Sequence, residues 1–245
     1  MKALPLLLVA AAAVMPQPAL ATPATGATEP SAQMAHAVEL ATLLNPEAQI
    51  TWMIKSDAYG AALRTQMLTV PNLAQLEGQH PGVLAFVVRR VQPVMADAMA
   101  KELPALWQRL GVIYARLMTD AELQAALTFF KSPVGTKMRL VIGANAATLT
   151  NKSVARGDKI SDKNMMAIMG QAGVASFDSF SPDERKEIIA IVTSPLGKKL
   201  QAANTEGAAM MVSWANEPHP AVEDVVGKAA AAAMVEFIKP GTTSS

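Results

Sequence analysis

Two lysines are the side chains best placed to hold a ligand. Lys137 and Lys199 each follow, four residues on, the proline of a Ser-Pro pair, Ser132-Pro133 and Ser194-Pro195. A helix that begins at such a proline presents free amides and the positive end of its dipole. An ammonium beside the amides of Ser132 to Gly135 could therefore anchor an anion. The competing reading lays the lysine stem along apolar surface and sends its amine to solvent or to a carboxylate. Neither Ser-Pro-Val-Gly nor Ser-Pro-Leu-Gly has the glycine number and spacing of a phosphate loop.

Other chemistry is harder to assemble. His36, His80 and His219 are far apart in sequence, and none belongs to a short metal-ligand pattern. The chain contains no cysteine, which removes thiolate catalysis and cysteine-held metals. No Gly-x-Ser-x-Gly elbow is present. Lys131 beside Ser132, and Lys198 near Ser194, suggest Ser-Lys chemistry only if the fold aligns amine and hydroxyl; helix capping is the simpler use of both serines. Glu122 and Glu184 are explained by capping, and Glu223-Asp224 by a solvent-facing first turn. Trp52, Trp107 and Trp214 sit in Met-rich or Leu-rich helical surroundings and are expected at the core or its edge. No catalytic residue, metal or cofactor is assigned.

The elements around the lysines are written twice. Residues 119–138 read TDAELQAALTFFKSPVGTKM, and residues 181–200 read SPDERKEIIAIVTSPLGKKL. Thr119 with Glu122, and Ser181 with Glu184, fit capping boxes in which hydroxyl and carboxylate each satisfy an amide of the other's residue. Leu123, Ala126, Leu127 and Phe130 form an apolar stripe in the first copy, matched by Ile188, Ile191 and Val192 in the second. Ser132-Pro133 and Ser194-Pro195 each turn the chain into a new helix. Gly135 and Gly197 lie in its first turn, where glycine costs up to about 1 kcal/mol relative to alanine. Close approach of the preceding backbone would account for them. The offset of sixty-two extends to Gly111-Val112 and Gly173-Val174, and to Ala147 and Ala209.

The stretch from Tyr114 to Met138, with its capped helix, Phe129-Phe130 and Ser132-Pro133-x-Gly135-x-Lys137, resembles the DUF2059 family of uncharacterised, typically exported bacterial proteins. The second copy resembles a divergent version, with Ile191-Val192 in place of the aromatic pair. Glu39 to Met67 loosely fits the helices that precede the motif in that family. The resemblance implies a helical fold and supplies no reaction.

The remaining chain completes an all-α expectation: packed helical hairpins with an internal duplication. Helices are expected over 33–44 and from Asn45-Pro46-Glu47 through Leu68, the latter ended by Val70-Pro71-Asn72. Val83 to Val91 reads as a central helix, with a strand as its alternative because β-branched residues are dense. Pro93 and Pro104 are expected to divide residues 82–117 into two or three helices. The helix from Pro133 is expected to reach Leu149, Met165 to Phe177 to lead into the second copy, and Val222 to Phe237 to close the fold. This divides the chain into 32–150, a polar connection over 151–161, 162–240 and a flexible tail over 241–245.

At the other end, Lys2, the apolar run Leu4 to Met15 and Ala19-Leu20-Ala21 read as a signal peptide over 1–21. A membrane span needs about 20 apolar residues, and this run is too short. Residues 22–31, rich in Pro, Thr and Ala, read as a disordered lead. Side-chain charge is nearly balanced, with 21 basic and 20 acidic residues, which argues against a nucleic-acid partner. Fifteen methionines imply an adaptable aliphatic core. These features together suggest a non-enzymatic periplasmic or secreted interaction or accessory protein that meets a protein or envelope component. A module holding an apolar or amphipathic small molecule between helices is the alternative, and a hydrolase with an unrecognised site is a lesser one. Oligomeric state is not specified.

Overall fold

The computed structural model describes residues 31–155 and 162–238. The expected signal peptide over 1–21, most of the lead and the 241–245 tail lie outside them. Among the described residues the structure is essentially all helical: α1 (Ala32–Leu44), α2 (Glu47–Lys55), α3 (Asp57–Met67), α4 (Pro71–Gln79), α5 (Val83–Leu117), α6 (Asp120–Lys131), α7 (Pro133–Ala155), α8 (Asp162–Ser176), a 3-10 turn Phe177–Ser179, α9 (Pro182–Thr193), α10 (Pro195–Asn216) and α11 (Pro220–Ile238). No described helix is long and apolar enough to cross a membrane.

The spine is α5, a single helix of 35 residues rather than the two or three expected. Its length is about 52 Å at the usual rise. Pro93 and Pro104 lie inside it, and both face solvent. Each removes one amide donor, but on that side water can satisfy the carbonyl left over. On the inner side Val91, Met95, Leu103 and Leu106 are buried, and α1, α2, α10 and α11 pack along the helix, which continues past both prolines. The same burial settles Val83 to Val91 as helix rather than strand.

The helix expected from Asn45 through Leu68 is two helices. Asn45 ends α1, donating to Ala41 O from both its backbone and its side-chain amide, and Pro46 rather than Asn45 occupies the cap of α2. The break falls at Ser56, whose hydroxyl accepts the Tyr59 N–H and donates to Met53 O. From α5, the buried Gln92 amide donates to Ile54 O and Ser56 O, both at 2.9 Å. Gly60 makes room for it, since a Cβ there would meet Gln92 Oε1 at 2.9 Å. The helix before Val70-Pro71-Asn72 does stop there, α3 being capped at Leu68, and Pro71 at once opens a further helix, α4. Gly82, with φ of +93°, then turns the chain into α5, and the Glu77 carboxylate accepts the N–H groups of Gly82 and Leu84. The Leu84 N–H is the main reason Glu77 is held below the ordinary carboxylate pKa.

Further differences concern side chains. Trp52 is half exposed, not at the core; Trp107 is partly buried and donates to Asn45 O; Trp214 is buried against the His219 ring. The helix from Pro133 passes Leu149 and runs to Ala155, so 151–155 of the expected connection are helical and 156–161 lie outside the described residues.

Packing interleaves the two copies. The outgoing helix of the first, α7, runs along the incoming helix of the second, α8; reciprocally, α10 of the second runs along α5. α1 fills the groove between α5 and α6, and α11 covers another face of α5. One buried cluster extends from Ala37 to Ala233, while Ala146, Ile168 and Ala172 form a smaller one between α7 and α8.

Candidate functional site

Both capping boxes form. Thr119 Oγ1 accepts the Glu122 N–H at 3.4 Å while Glu122 Oε2 accepts the Thr119 N–H at 2.8 Å. In the second copy the matching distances, for Ser181 and Glu184, are 3.3 and 2.7 Å. At the corners, Ser132 Oγ accepts the Gly135 N–H at 3.1 Å and Ser194 Oγ accepts the Gly197 N–H at 3.0 Å. Both serine hydroxyls are thus engaged as caps on helices begun by Pro133 and Pro195. Lys131, considered as a catalytic neighbour of Ser132, reaches Glu39 instead at 2.5 Å.

The glycines have a steric cause. A Cβ at Gly135 would lie 2.0 Å from Phe129 O, and one at Gly197 would lie 2.2 Å from Ile191 O. The corner therefore folds the new helix against the last carbonyls of the old one, at a separation no side chain permits.

The two lysines cross over. Lys137 Nζ donates to Glu184 Oε1 and Oε2 at 3.0 and 2.8 Å, so the first copy's lysine meets the second copy's capping glutamate. Lys199 Nζ donates to Glu122 Oε1 and Oε2, both at 2.7 Å, making the converse pair. This is the pattern of an isologous interface, in which residue i meets j and j meets i, here realised inside one chain. Each glutamate also sits at the positive end of its own helix, α6 or α9. Lys199, followed by the Thr119 N–H, pulls Glu122 down to a pKa of about 2. Lys137 and the Ser181 N–H lower that of Glu184. Lys137 Nζ additionally stands 5.1 Å from the Phe180 ring centroid.

The histidines remain apart. His36 Nδ1 is 2.6 Å from Asp120 Oδ1, at the start of α6. His219 is buried at the start of α11, with Nε2 3.0 Å from Trp214 O and Nδ1 4.0 Å from Glu102 Oε2. The Glu223 carboxylate, expected to face solvent, accepts the His219 N–H at 3.3 Å. Among the described residues no group of three or more His, Cys, Asp or Glu side chains could hold a metal ion. Arg139, which the sequence reading did not single out, donates to Phe130 O and Leu43 O, tying α1 to the end of α6.

Equivalent positions in the copies differ most in what covers them. Leu127 and Phe130 on α6 are 5% and 8% exposed, whereas Ile189 and Val192, sixty-two positions later on α9, are 50% and 59% exposed. Val192 was expected in the core. It is not, because α1 packs on α6 and no described helix takes the same place on α9.

Residues 105–173 match the bacterial family DUF2059, described as an uncharacterised protein conserved in bacteria. The match takes in the C-terminal third of α5, the first motif copy and α7, and ends in α8. No curated protein and no solved structure matches the chain.

Proposed function

We propose that the chain is an exported, non-enzymatic interaction or accessory protein of the bacterial envelope, and that its second helical unit carries the surface that meets a protein partner. One observation supports this reading above the rest: the polar groups of both motif copies are spent on one another, while the second copy leaves Ile189 and Val192 open where the first buries their equivalents. A catalytic motif would keep a nucleophile, base or cation available. Here the serines cap helices and the lysines neutralise glutamates. Exposed apolar side chains clustered on one element, by contrast, mark interaction surfaces.

The test is chemical crosslinking in the host envelope followed by mass spectrometry. A crosslinked protein species at peptides from α8 and α9 is the expected result. Recovery of the chain only as an uncrosslinked monomer, with a small organic mass retained under non-denaturing conditions, would overturn the proposal.

A further inference from the structure

Helix α4 is weak in every local respect. Its cap, Val70, offers no side-chain oxygen to the first turn; that turn holds no acidic residue, and the last turn no basic one. A helix of nine residues is marginal in water when little packs on it. Gly78 lies in the last turn, where a Cβ would meet nothing within 4 Å, so no close approach offsets the poor helix propensity of that glycine. No residue of α4 is fully buried, and Leu73 and Leu76 reach the core only in part.

One carboxylate supplies what these features lack. Glu77 accepts the Leu84 N–H at 2.9 Å and the Gly82 N–H at 3.1 Å, and Arg64 Nη2 donates to it at 2.7 Å; its side chain is only 14% exposed. The need is mutual. Helix α5 is capped at Gly82, which has no side chain, so free amides at the start of the 35-residue spine are met from α4. The same group therefore fastens α4 to α5 and, through Arg64, to α3. Arg64 is the charged group that acts on it. His80 occupies the turn between the two helices, and α11 reaches the same corner with Phe237 beside Gly82, its Glu236 being engaged by Arg90.

We infer that Glu77 is an acid-operated latch: protonation of its carboxyl releases α4 while the rest of the fold stays closed, uncovering Leu73, Leu76 and the part of α5 that α4 covers. A protonated carboxyl still offers an acceptor oxygen, but it loses the charge favoured by Arg64 and by the positive end of α5. The Leu84 N–H, ahead of Arg64, holds Glu77 below its ordinary 4.5. A depressed carboxylate contributes fully above that value, so the latch is closed there and opens as pH falls below it. The device needs no partner and is separate from the surface on α8 and α9. It gives the chain an apolar face that acid alone displays.

Hydrogen exchange on the whole chain, followed peptide by peptide and corrected for the intrinsic rate at each pH, reads the latch. Glu77→Gln copies the protonated carboxyl at pH 7, so no other group need be titrated. It should speed exchange in α4 and the first turn of α5 by about tenfold or more, with α6 and α7 unchanged. Wild type should approach the same exchange in α4 as pH falls below 4.5, while the variant shows no further change there. Equal protection of α4 in wild type and Glu77→Gln at pH 7 overturns the latch. If the variant does not fold, the wild-type series decides: α4 opening before the middle of α5 supports the latch, and simultaneous opening ends it.

Discussion

Lys199 donates to both carboxylate oxygens of Glu122 across 77 residues of chain, and the same carboxylate accepts the backbone N–H that opens α6. A single side chain thus closes a local cap and a long-range contact between the copies. Its mate, Glu184, does the same for α9 and Lys137.

Acid should unfasten this contact in a defined window. The folded pKa of Glu122 is depressed to about 2 from an ordinary 4.5, so its contribution is complete above about pH 4.5 and is lost as pH falls towards 2. Glu122→Gln should melt below wild type at neutral pH, with the gap closing in that interval. Circular dichroism melts over a pH series read this directly, and a gap independent of pH would assign the loss to another cause. Removal of Lys199 as well should make the glutamine substitution nearly silent.

The corner glycines predict opposite signs at chemically identical substitutions. Gly135→Ala or Gly197→Ala drives a methyl into backbone carbonyls and should cost about 2–3 kcal/mol. Gly173→Ala meets nothing within 4 Å and should gain up to about 1 kcal/mol from helix propensity. Urea unfolding midpoints of the three variants decide the matter.

Gln92 is a buried amide serving two carbonyls of another helix pair. Gln92→Met keeps the volume and removes both donors, leaving Ile54 O and Ser56 O short of partners. A loss of about 1–3 kcal/mol is expected. Hydrogen exchange should rise first in α2 and α3, and exchange unchanged there would show that Gln92 does not hold the break.

Alkali should destabilise the fold through two tyrosines. Burial pushes Tyr59 and Tyr114 up to about 12, so the folded state retains phenolic protons that the unfolded chain releases near 10. Their contribution is intact below pH 10 and is lost between about 10 and 12. Ultraviolet titration of tyrosinate should show two late-titrating groups that become ordinary in denaturant.

The caps, corners and helical class were legible because they are local: Thr119 with Glu122, or Ser194 with Gly197, needs only three residues of chain. The missed features depend on distant partners. Ser56 breaks a helix with the help of Gln92, 36 residues on, and Pro93 and Pro104 fail to break one because buried neighbours on either side hold it. Val192 looked buried because its spacing copies that of α6, yet burial is conferred by α1, which the second copy lacks. The lysines looked spare for the same reason. Their carboxylates lie on the other copy, and no offset within the sequence states that α7 meets α9.

The length of α5 bears on the order in which the chain can finish folding. Helices α10 and α11 are synthesised after every other described helix, and both pack on α5, which begins at Val83. Until they emerge, apolar faces of the spine stay uncovered in a nascent chain that already contains most of its helices. Exposed surface of that kind invites aggregation or a chaperone. A chain cut short before Pro195 would hold that state permanently.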